Sequence, residues 1–176
     1  MIKKLAHLAA QTVVATSILL ATAPSALSDE CKFSPDTHNP GQQTLICGTS
    51  LIVRTAPGTT DHLSDHPLAH QPDSLRLESG ALMLEFHPRT DHATFQILTP
   101  NAIAAVRGTK WVVEVAPGRT STFVIAGSVA VSRTDANQSV ILKPGEGADV
   151  TPGPGTIVVK TWAEKRVRAL LARFGE

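Results

Sequence analysis

Short β-favouring runs follow one another from Thr44 onward, and Gly/Pro turns such as Lys143-Pro144-Gly145 separate them. Strands about 8–12 residues apart, without a helical pattern among them, are typical of an all-β protein. We therefore expect an all-β fold of short strands, solenoid-like or a sandwich. The predicted strands are Thr44–Arg54, Ser74–Leu77, Leu82–Phe86, Thr94–Leu98, Ile103–Val106, Trp111–Val115, Ser121–Ile125, Ser128–Ser132, Ser139–Leu142, Ala148–Val150 and Thr156–Val159.

The strand at Trp111 shows the clearest alternation. Trp111, Val113 and Val115 share one face, whereas Val112 and Glu114 point to the other. One face of this strand is therefore expected to lie in the core.

The last segment has helical periodicity instead. Its apolar residues share one face, at Ala163, Val167, Leu170, Leu171 and Phe174. Thr161 and Glu164 have the spacing of a capping box, which predicts a helix start. The basic residues are Lys165, Arg166, Arg168 and Arg173. The helix either contacts a membrane surface or a partner, or covers one open end or face of the β body.

The N-terminus has the pattern of a secretory signal peptide. Lys3 and Lys4 precede an uncharged apolar run from Thr12 to Ala23, and small residues before Asp29 predict cleavage after Ser28. The run of about 12 residues is shorter than the roughly 20 that a spanning helix needs, which argues against an uncleaved anchor. We expect an exported, periplasmic protein.

The two cysteines, Cys31 and Cys47, follow this cleavage site. In an oxidising compartment such a pair favours a disulfide, which would tie down an N-terminal arm. Lipidation of Cys31 is the alternative, but the preceding Leu27-Ser28-Asp29-Glu30 lacks the small apolar run of a lipobox.

Composition and motifs exclude several function classes. The formal net charge of +1 argues against a dedicated nucleic-acid binder, and aromatic residues are only 4% of the chain. There is no Gly-x-Ser-x-Gly elbow and no phosphate-binding glycine loop. The acidic residues Glu78, Glu85, Glu114 and Asp91 show no spacing that singles out a catalytic pair. We expect no catalysis and no cofactor.

A series of blocks between residues 77 and 150 follows a characteristic order. Thr99-Pro100 comes before Ala105-Val106-Arg107-Gly108-Thr109, and then come Gly127-Ser128-Val129 and Pro144-Gly145-Glu146-Gly147. This order resembles the FecR-type domain, the periplasmic module of bacterial iron-dicitrate sensor and anti-sigma regulators. The resemblance implies an all-β, solenoid-like domain that binds a partner rather than catalysing a reaction.

The sequence departs from full-length regulators of that family, which carry a cytoplasmic segment and a transmembrane helix before the domain and a docking part after it. We therefore expect the domain without direct control of a sigma factor, as in small exported proteins that contain a FecR domain alone. The predicted organisation is a signal peptide (1–28), a disulfide-tied arm with the first strand and a His-rich loop (29–73), the FecR-type domain (74–160) and the C-terminal helix (161–176).

The motif residues have a structural interpretation and a partner-contact interpretation. Pro100 fixes φ and lacks a donor, so Thr99-Pro100 ends a strand, and Gly108 lets the chain reverse. Arg107 either satisfies loop carbonyls or contacts an anion or a partner. The whole predicted set is Thr99, Pro100, Arg107, Gly108, Thr109, Gly127, Gly145 and Gly147.

The remaining candidate site is a His-rich stretch. His62, His66 and His70 are four residues apart, so a helix would align them as metal ligands. Pro67 disfavours a helix at His66, which favours a solvated loop.

We expect a non-catalytic interaction, signalling or scaffold module whose partner is another envelope protein. It would contact a membrane only through an uncleaved signal or the C-terminal helix, and metal or small-ligand binding by these histidines is the alternative.

Overall fold

The computed structural model describes residues 30–35, 41–61, 70–90, 93–134 and 138–176. Within these ranges thirteen strands join in one sheet, and a short helix follows them, which confirms the all-β fold. The strands are β1 Cys31–Pro35, β2 Gln43–Cys47, β3 Leu51–Thr55, β4 Thr60–Asp61, β5 Ser74–Phe86, β6 Phe95–Leu98, β7 Ala102–Val106, β8 Thr109–Ala116, β9 Arg119–Ala126, β10 Val129–Arg133, β11 Ser139–Leu142, β12 Glu146–Val150 and β13 Val159–Thr161. Helix α1 is Glu164–Leu171, and a 3-10 turn, Ala172–Phe174, continues it.

The long strand β5 folds the sheet into two layers. Its first part pairs in parallel with β6, with Ser74 opposite Gln96. From Gly80 onward it instead lies between β3 and β8, antiparallel to both. The first layer is β11-β10-β7-β6-β5, and the second is β1-β2-β3-β5-β8-β9-β12-β13. The result is a sandwich-like fold.

The main core lies between these layers. Phe95 of the first layer meets Trp111 of the second, with ring centroids 6.3 Å apart. The alternation predicted for β8 is confirmed, because Trp111, Val113 and Val115 are all in this core. Val112 instead belongs to a second apolar cluster on the opposite face of the sheet.

Several predicted strand boundaries are wrong. The single strand expected at 44–54 is the hairpin β2–β3, in which the backbone N–H of Ser50 donates to the Cys47 carbonyl. The break expected between the predicted strands Ser74–Leu77 and Leu82–Phe86 is continuous strand, because Ser79 pairs with Thr60 of β4 and Gly80 with Val115 of β8. Partners distant in sequence override the local turn signal at this point.

The predicted disulfide between Cys31 and Cys47 is confirmed. The two residues face each other across β1 and β2, and the pairing continues to Pro35 opposite Gln43. The first residues of the expected arm therefore form an edge strand of the second layer.

The predicted C-terminal helix is present, but its start differs. Ala163 is the N-cap residue and provides no side-chain cap hydrogen bond. The capping box expected from Thr161 is wrong, since Thr161 belongs to β13 and pairs with Glu146. The final strand, expected at 156–159, is likewise shifted to Val159–Thr161. No helix among the residues described has the length and apolar character needed to span a bilayer.

Candidate interaction surface

The outer face of the second layer carries an apolar patch formed by Met83, Val112 and Phe123. These side chains point away from the main core because side chains alternate along a strand. Leu170 and Phe174 of the C-terminal segment pack on the patch and are only 6% and 4% exposed. The interpretation of the helix as a cover for one face of the β body is confirmed.

Trp162 extends this cover toward β12. Its ring stacks on Phe123 with a centroid distance of 5.1 Å and an interplanar angle of 23°. It also lies against Gly147, where an added Cβ would stand 2.3 Å from the indole Cε2. The Arg166 guanidinium carbon lies 3.4 Å from the ring centroid, which is within the range of a cation–π contact.

A forked ion pair holds the start of the helix on the sheet. Arg166 donates from Nη1 to Asp149 Oδ2 at 2.9 Å and from Nη2 to Oδ1 at 2.5 Å. The hydroxyl of Ser121 also donates to Oδ1 at 2.6 Å. Partial burial by itself raises the pKa of Asp149, but the hydrogen bonds from Arg166 and Ser121 outweigh it, so that this pKa lies below its ordinary value.

Further ion pairs hold the end of the C-terminal segment. Arg173 contacts Glu114 at 2.5 Å, and Glu176 accepts from Lys110 at 3.0 Å and from Arg54 at 2.9 Å. Burial opposes the charge of Glu176, but these two partners keep its pKa below the ordinary value. Charged residues on the sheet thus surround the apolar patch and pair with the segment that covers it.

A groove of about 260 Å³ lies between α1 and the β8–β9 hairpin. Three guanidinium groups and one carboxylate line it, together with apolar surface from the helix. The lining residues are Glu114, Arg119, Trp162, Arg166, Ala169, Leu170 and Arg173. Arg119 is exposed and makes no salt bridge within the described ranges, although its charge acts on Asp149. Chemically, the groove offers hydrogen-bond donors and positive charge for an anion.

The predicted motif residues Thr99 and Pro100 lie at one end of the sandwich, in the turn between β6 and β7. Thr99 is buried, and its hydroxyl accepts from the Ala102 N–H at 3.0 Å. The same oxygen lies 2.9 Å from the Thr120 hydroxyl oxygen of β9. These contacts tie the turn to the second layer.

Gly108, Thr109 and Gly127 lie at the opposite end and pack two turns together. Both glycines have positive φ, +76° and +83°. An added Cβ on Gly127 would stand 2.4 Å from the Gly108 carbonyl oxygen. Thr109 is buried and donates its hydroxyl proton to the Ser128 carbonyl at 2.9 Å. The chain reversal expected at Gly108 is therefore present.

The other predicted motif residues lie apart from one another. Arg107 is exposed in the turn before β8, and both interpretations of its role remain predictions. Gly145 lies in the turn before β12, where its N–H donates to the Val124 carbonyl at 2.9 Å. Gly147 contacts Trp162 and thereby supports the wall of the groove.

Two of the predicted metal ligands, His62 and His66, lie outside the described residues. His70 is exposed at the start of the range 70–90. No group of three or more potential metal ligands occurs in the part of the chain that the structure describes. Metal binding by this stretch remains a prediction.

The sequence interpretation missed the groove, although its signals are present. Strand alternation places Glu114, Ser121 and Asp149 on one face of the sheet, and Arg166 and Arg173 are two helical turns apart. Which face of the sheet packs against which face of the helix depends on contacts between residues far apart in sequence. The strand pattern and the helix pattern therefore do not predict that these acidic and basic residues pair.

Taken together, the fold and the surface define a sandwich-like β domain with a helix-covered outer face and a basic groove beside the helix. The model of the FecR protein family matches residues 39–130, more than half of the chain, and the chain belongs to this family. No curated protein sequence matches it. The match includes Glu114 and Arg119 of the groove, whereas Trp162, Arg166 and Arg173 lie beyond it.

Two crystal structures of a candidate anti-sigma factor from Parabacteroides distasonis ATCC 8503 share the fold. One has a TM-score of 0.55 and 21% identity, and the match covers 84% of this chain and 63% of that one. The other has a TM-score of 0.50 and 20% identity, covering 82% and 61%. At this identity the likeness shows the fold alone, and this chain spans less than two thirds of the length of those proteins.

Proposed function

We propose that the protein is an exported, periplasmic, non-catalytic module that binds another protein of the cell envelope and takes part in signalling. The observation that carries this proposal is its membership of the FecR family, whose model matches residues 39–130. The shared fold with a candidate anti-sigma factor is consistent with a regulatory module rather than an enzyme.

The disulfide and the N-terminal sequence support export. Cys31 and Cys47 are paired and are 2% and 0% exposed, so that the bond is part of the main core. Structural disulfides persist in oxidising compartments such as the periplasm. The signal-peptide pattern that ends at Ser28 agrees with this compartment.

The charged residues of the outer face support binding rather than catalysis. Arg166, Asp149, Arg173 and Glu114 are engaged in ion pairs that hold the helix on the sheet. Such pairs fix the geometry of a surface, whereas a catalytic carboxylate or base needs a pKa matched to proton transfer. The pKa of Asp149 lies below its ordinary value, so this carboxylate is ionised at neutral pH and is not matched to proton transfer there.

Fractionation of a bacterial host that produces the full chain tests the location. We expect a processed protein in the periplasmic fraction, with Asp29 as its first residue by mass spectrometry and with no free thiol. An unprocessed protein with reduced cysteines in the cytoplasm would contradict export.

Photo-crosslinking in living cells tests the interaction. A photoreactive residue is placed in turn at Arg107, Ile141, Lys165 and Ala169, positions distributed over the surface of the fold. We expect a discrete adduct with one envelope protein from at least one position. The matched control lacks residues 2–28, remains in the cytoplasm and gives no such adduct. Absence of an adduct at every position would contradict the interaction.

A further inference from the structure

The groove beside α1 has more positive than negative groups. Arg119, Arg166 and Arg173 contribute guanidinium groups, and only Glu114 among the lining residues contributes a carboxylate. Asp149 neutralises Arg166 from outside the lining. One guanidinium charge therefore remains without a carboxylate in contact, and within the described ranges it belongs to Arg119.

The donors of the groove are also incompletely used. A guanidinium has five N–H donors in a planar fork that matches a carboxylate. Arg166 directs its Nη1 and Nη2 to Asp149, and Arg173 directs Nη1 to Glu114. The side chain of Arg119 makes no hydrogen bond or salt bridge with another residue in the described part of the chain. An incoming carboxylate would therefore meet the fork of Arg119 without displacing an existing pair.

The groove is held in shape before any partner arrives. Arg166 is fixed by its forked contact with Asp149 and by the ring of Trp162. Arg173 is fixed by Glu114 across the groove. Because these two side chains are already ordered, a ligand has to immobilise only Arg119 among the three arginines, which limits the entropy cost of binding.

The size and the lining of the groove indicate the kind of ligand. Its volume of about 260 Å³ lies below the roughly 300–1,000 Å³ that is typical of small-molecule sites. Ala169, Leu170 and Trp162 provide an apolar wall beside the charges. An acidic amino-acid side chain fits this groove, because its methylene groups can lie against the apolar wall while its carboxylate meets the positive charge.

We infer that this groove docks an acidic segment of the protein partner, with an Asp or Glu carboxylate of that segment held by Arg119 and its methylene groups against the wall formed by α1. This inference rests on the proposed function and identifies the chemistry of the partner. Arg166 and Arg173 hold the walls of the groove in place while they remain paired with the sheet.

A binding assay with defined peptides tests the inference. The probe is a fluorescein-labelled peptide of alternating glycine and glutamate, and the matched control peptide has glutamine in place of glutamate. Fluorescence anisotropy is measured at low ionic strength with the exported protein, purified after removal of its signal peptide. We expect binding of the glutamate peptide only, and weaker binding as salt is added, because exposed charges are screened.

Two arginine variants test whether peptide binding depends on the groove or on positive charge elsewhere on the surface. Arg119→Gln is expected to weaken binding about tenfold, the size expected for loss of a charge-assisted hydrogen-bonded contact. Arg168→Gln removes the same charge from an exposed position of α1 outside the groove and is expected to change binding less than about twofold. The melting temperatures of both variants are measured alongside, and they are expected to equal that of the unaltered protein.

Three results would overturn the inference. The first is equal affinity for the glutamate and glutamine peptides, and the second is equal weakening by Arg119→Gln and Arg168→Gln. The third is competition by free glutamate as effective as competition by the unlabelled peptide, which would assign the groove to small anions. Each of these three results leaves the proposed function intact if photo-crosslinked adducts with an envelope protein form from positions outside the groove. Loss of crosslinks at every position would instead overturn the function.

Discussion

The indole of Trp162 lies where a side chain on Gly147 would stand. An added Cβ at Gly147 would be 2.3 Å from Cε2 and 2.4 Å from Nε1 of the ring. The bare backbone of β12 is therefore the surface that lets the ring approach the sheet and stack on Phe123. Since Trp162 precedes α1 and lines the groove, this close approach sets how the helix joins the β body.

Gly147→Ala should displace Trp162 and destabilise the protein. The new methyl group overlaps ring atoms packed against a strand, and overpacking of this kind costs about 1–3 kcal/mol. The measurement is urea unfolding followed by tryptophan fluorescence, with a red shift of the native spectrum as the ring leaves its site.

Gly155→Ala is the matched control for this substitution. Nothing lies within 4 Å of a Cβ at Gly155, which lies in an exposed irregular segment. We expect a change in the free energy of unfolding below about 0.5 kcal/mol. Equal destabilisation by the two variants would show that the contact of Gly147 with the ring is unimportant.

Gly127→Ala should be more damaging than Gly118→Ala. Both glycines have positive φ, which costs an L-residue roughly 1–2 kcal/mol. At Gly127 the added Cβ would also stand 2.4 Å from the backbone oxygen of Gly108, whereas a Cβ at Gly118 would meet no atom within 4 Å. Thermal melting of the two variants measures the difference, and similar melting temperatures would contradict the close packing of the two turns.

Replacing both Cys31 and Cys47 by alanine should lower the free energy of unfolding by about 2–4 kcal/mol. The disulfide closes a loop with a sequence separation of 16, and its loss increases the conformational freedom of the unfolded chain. Guanidinium denaturation measures the loss. A reducing agent should destabilise the unaltered protein by a similar amount and leave the double variant unchanged. Destabilisation of the variant by the reductant would contradict this assignment.

The ion pair of Asp149 with Arg166 should make stability depend on pH in the acid range. Because the pKa of Asp149 is lowered in the folded state, its stabilisation is complete above the ordinary value of 3.8 and is lost as the pH falls through the lower folded value. Asp149→Asn should cost about 0.5–1 kcal/mol at neutral pH, the upper part of the range for partly exposed pairs.

The pH series distinguishes this ion pair from general acid sensitivity. Urea unfolding of Asp149→Asn and of the unaltered protein is compared from pH 7 down to strongly acidic solution. The difference between them should be constant above pH 3.8 and shrink below it. A difference that persists unchanged in strong acid would contradict an electrostatic role for Asp149.

Much of the fold could be predicted from local patterns. The alternation of Trp111, Val113 and Val115 correctly indicated a strand with one face in the core. The helical spacing of Leu170 and Phe174 indicated a helix with one apolar face, and both residues are buried. These patterns are reliable because side-chain direction follows from the local geometry of a strand or a helix.

The errors occurred where distant partners decide the backbone. The Glu78-Ser79-Gly80 sequence has the composition of a turn, but strand pairing with β4 and β8 keeps it extended. Thr161 has the spacing of a helix cap, but its pairing with Glu146 makes it the end of β13. Local propensity differs by only about 1 kcal/mol between alternatives, so a few tertiary hydrogen bonds reverse it.

The sequence by itself determined an all-β chain with a cysteine pair and a terminal amphipathic helix, because composition, periodicity and turn residues act over a few neighbouring positions. Only the tertiary structure decided that the helix lies on the outer face of the second layer, with Arg166 on Asp149 and Arg173 on Glu114. Those partners are separated by 17 and 59 positions. Contacts at such separations depend on how the whole sheet folds, so the groove exists only once the chain has packed.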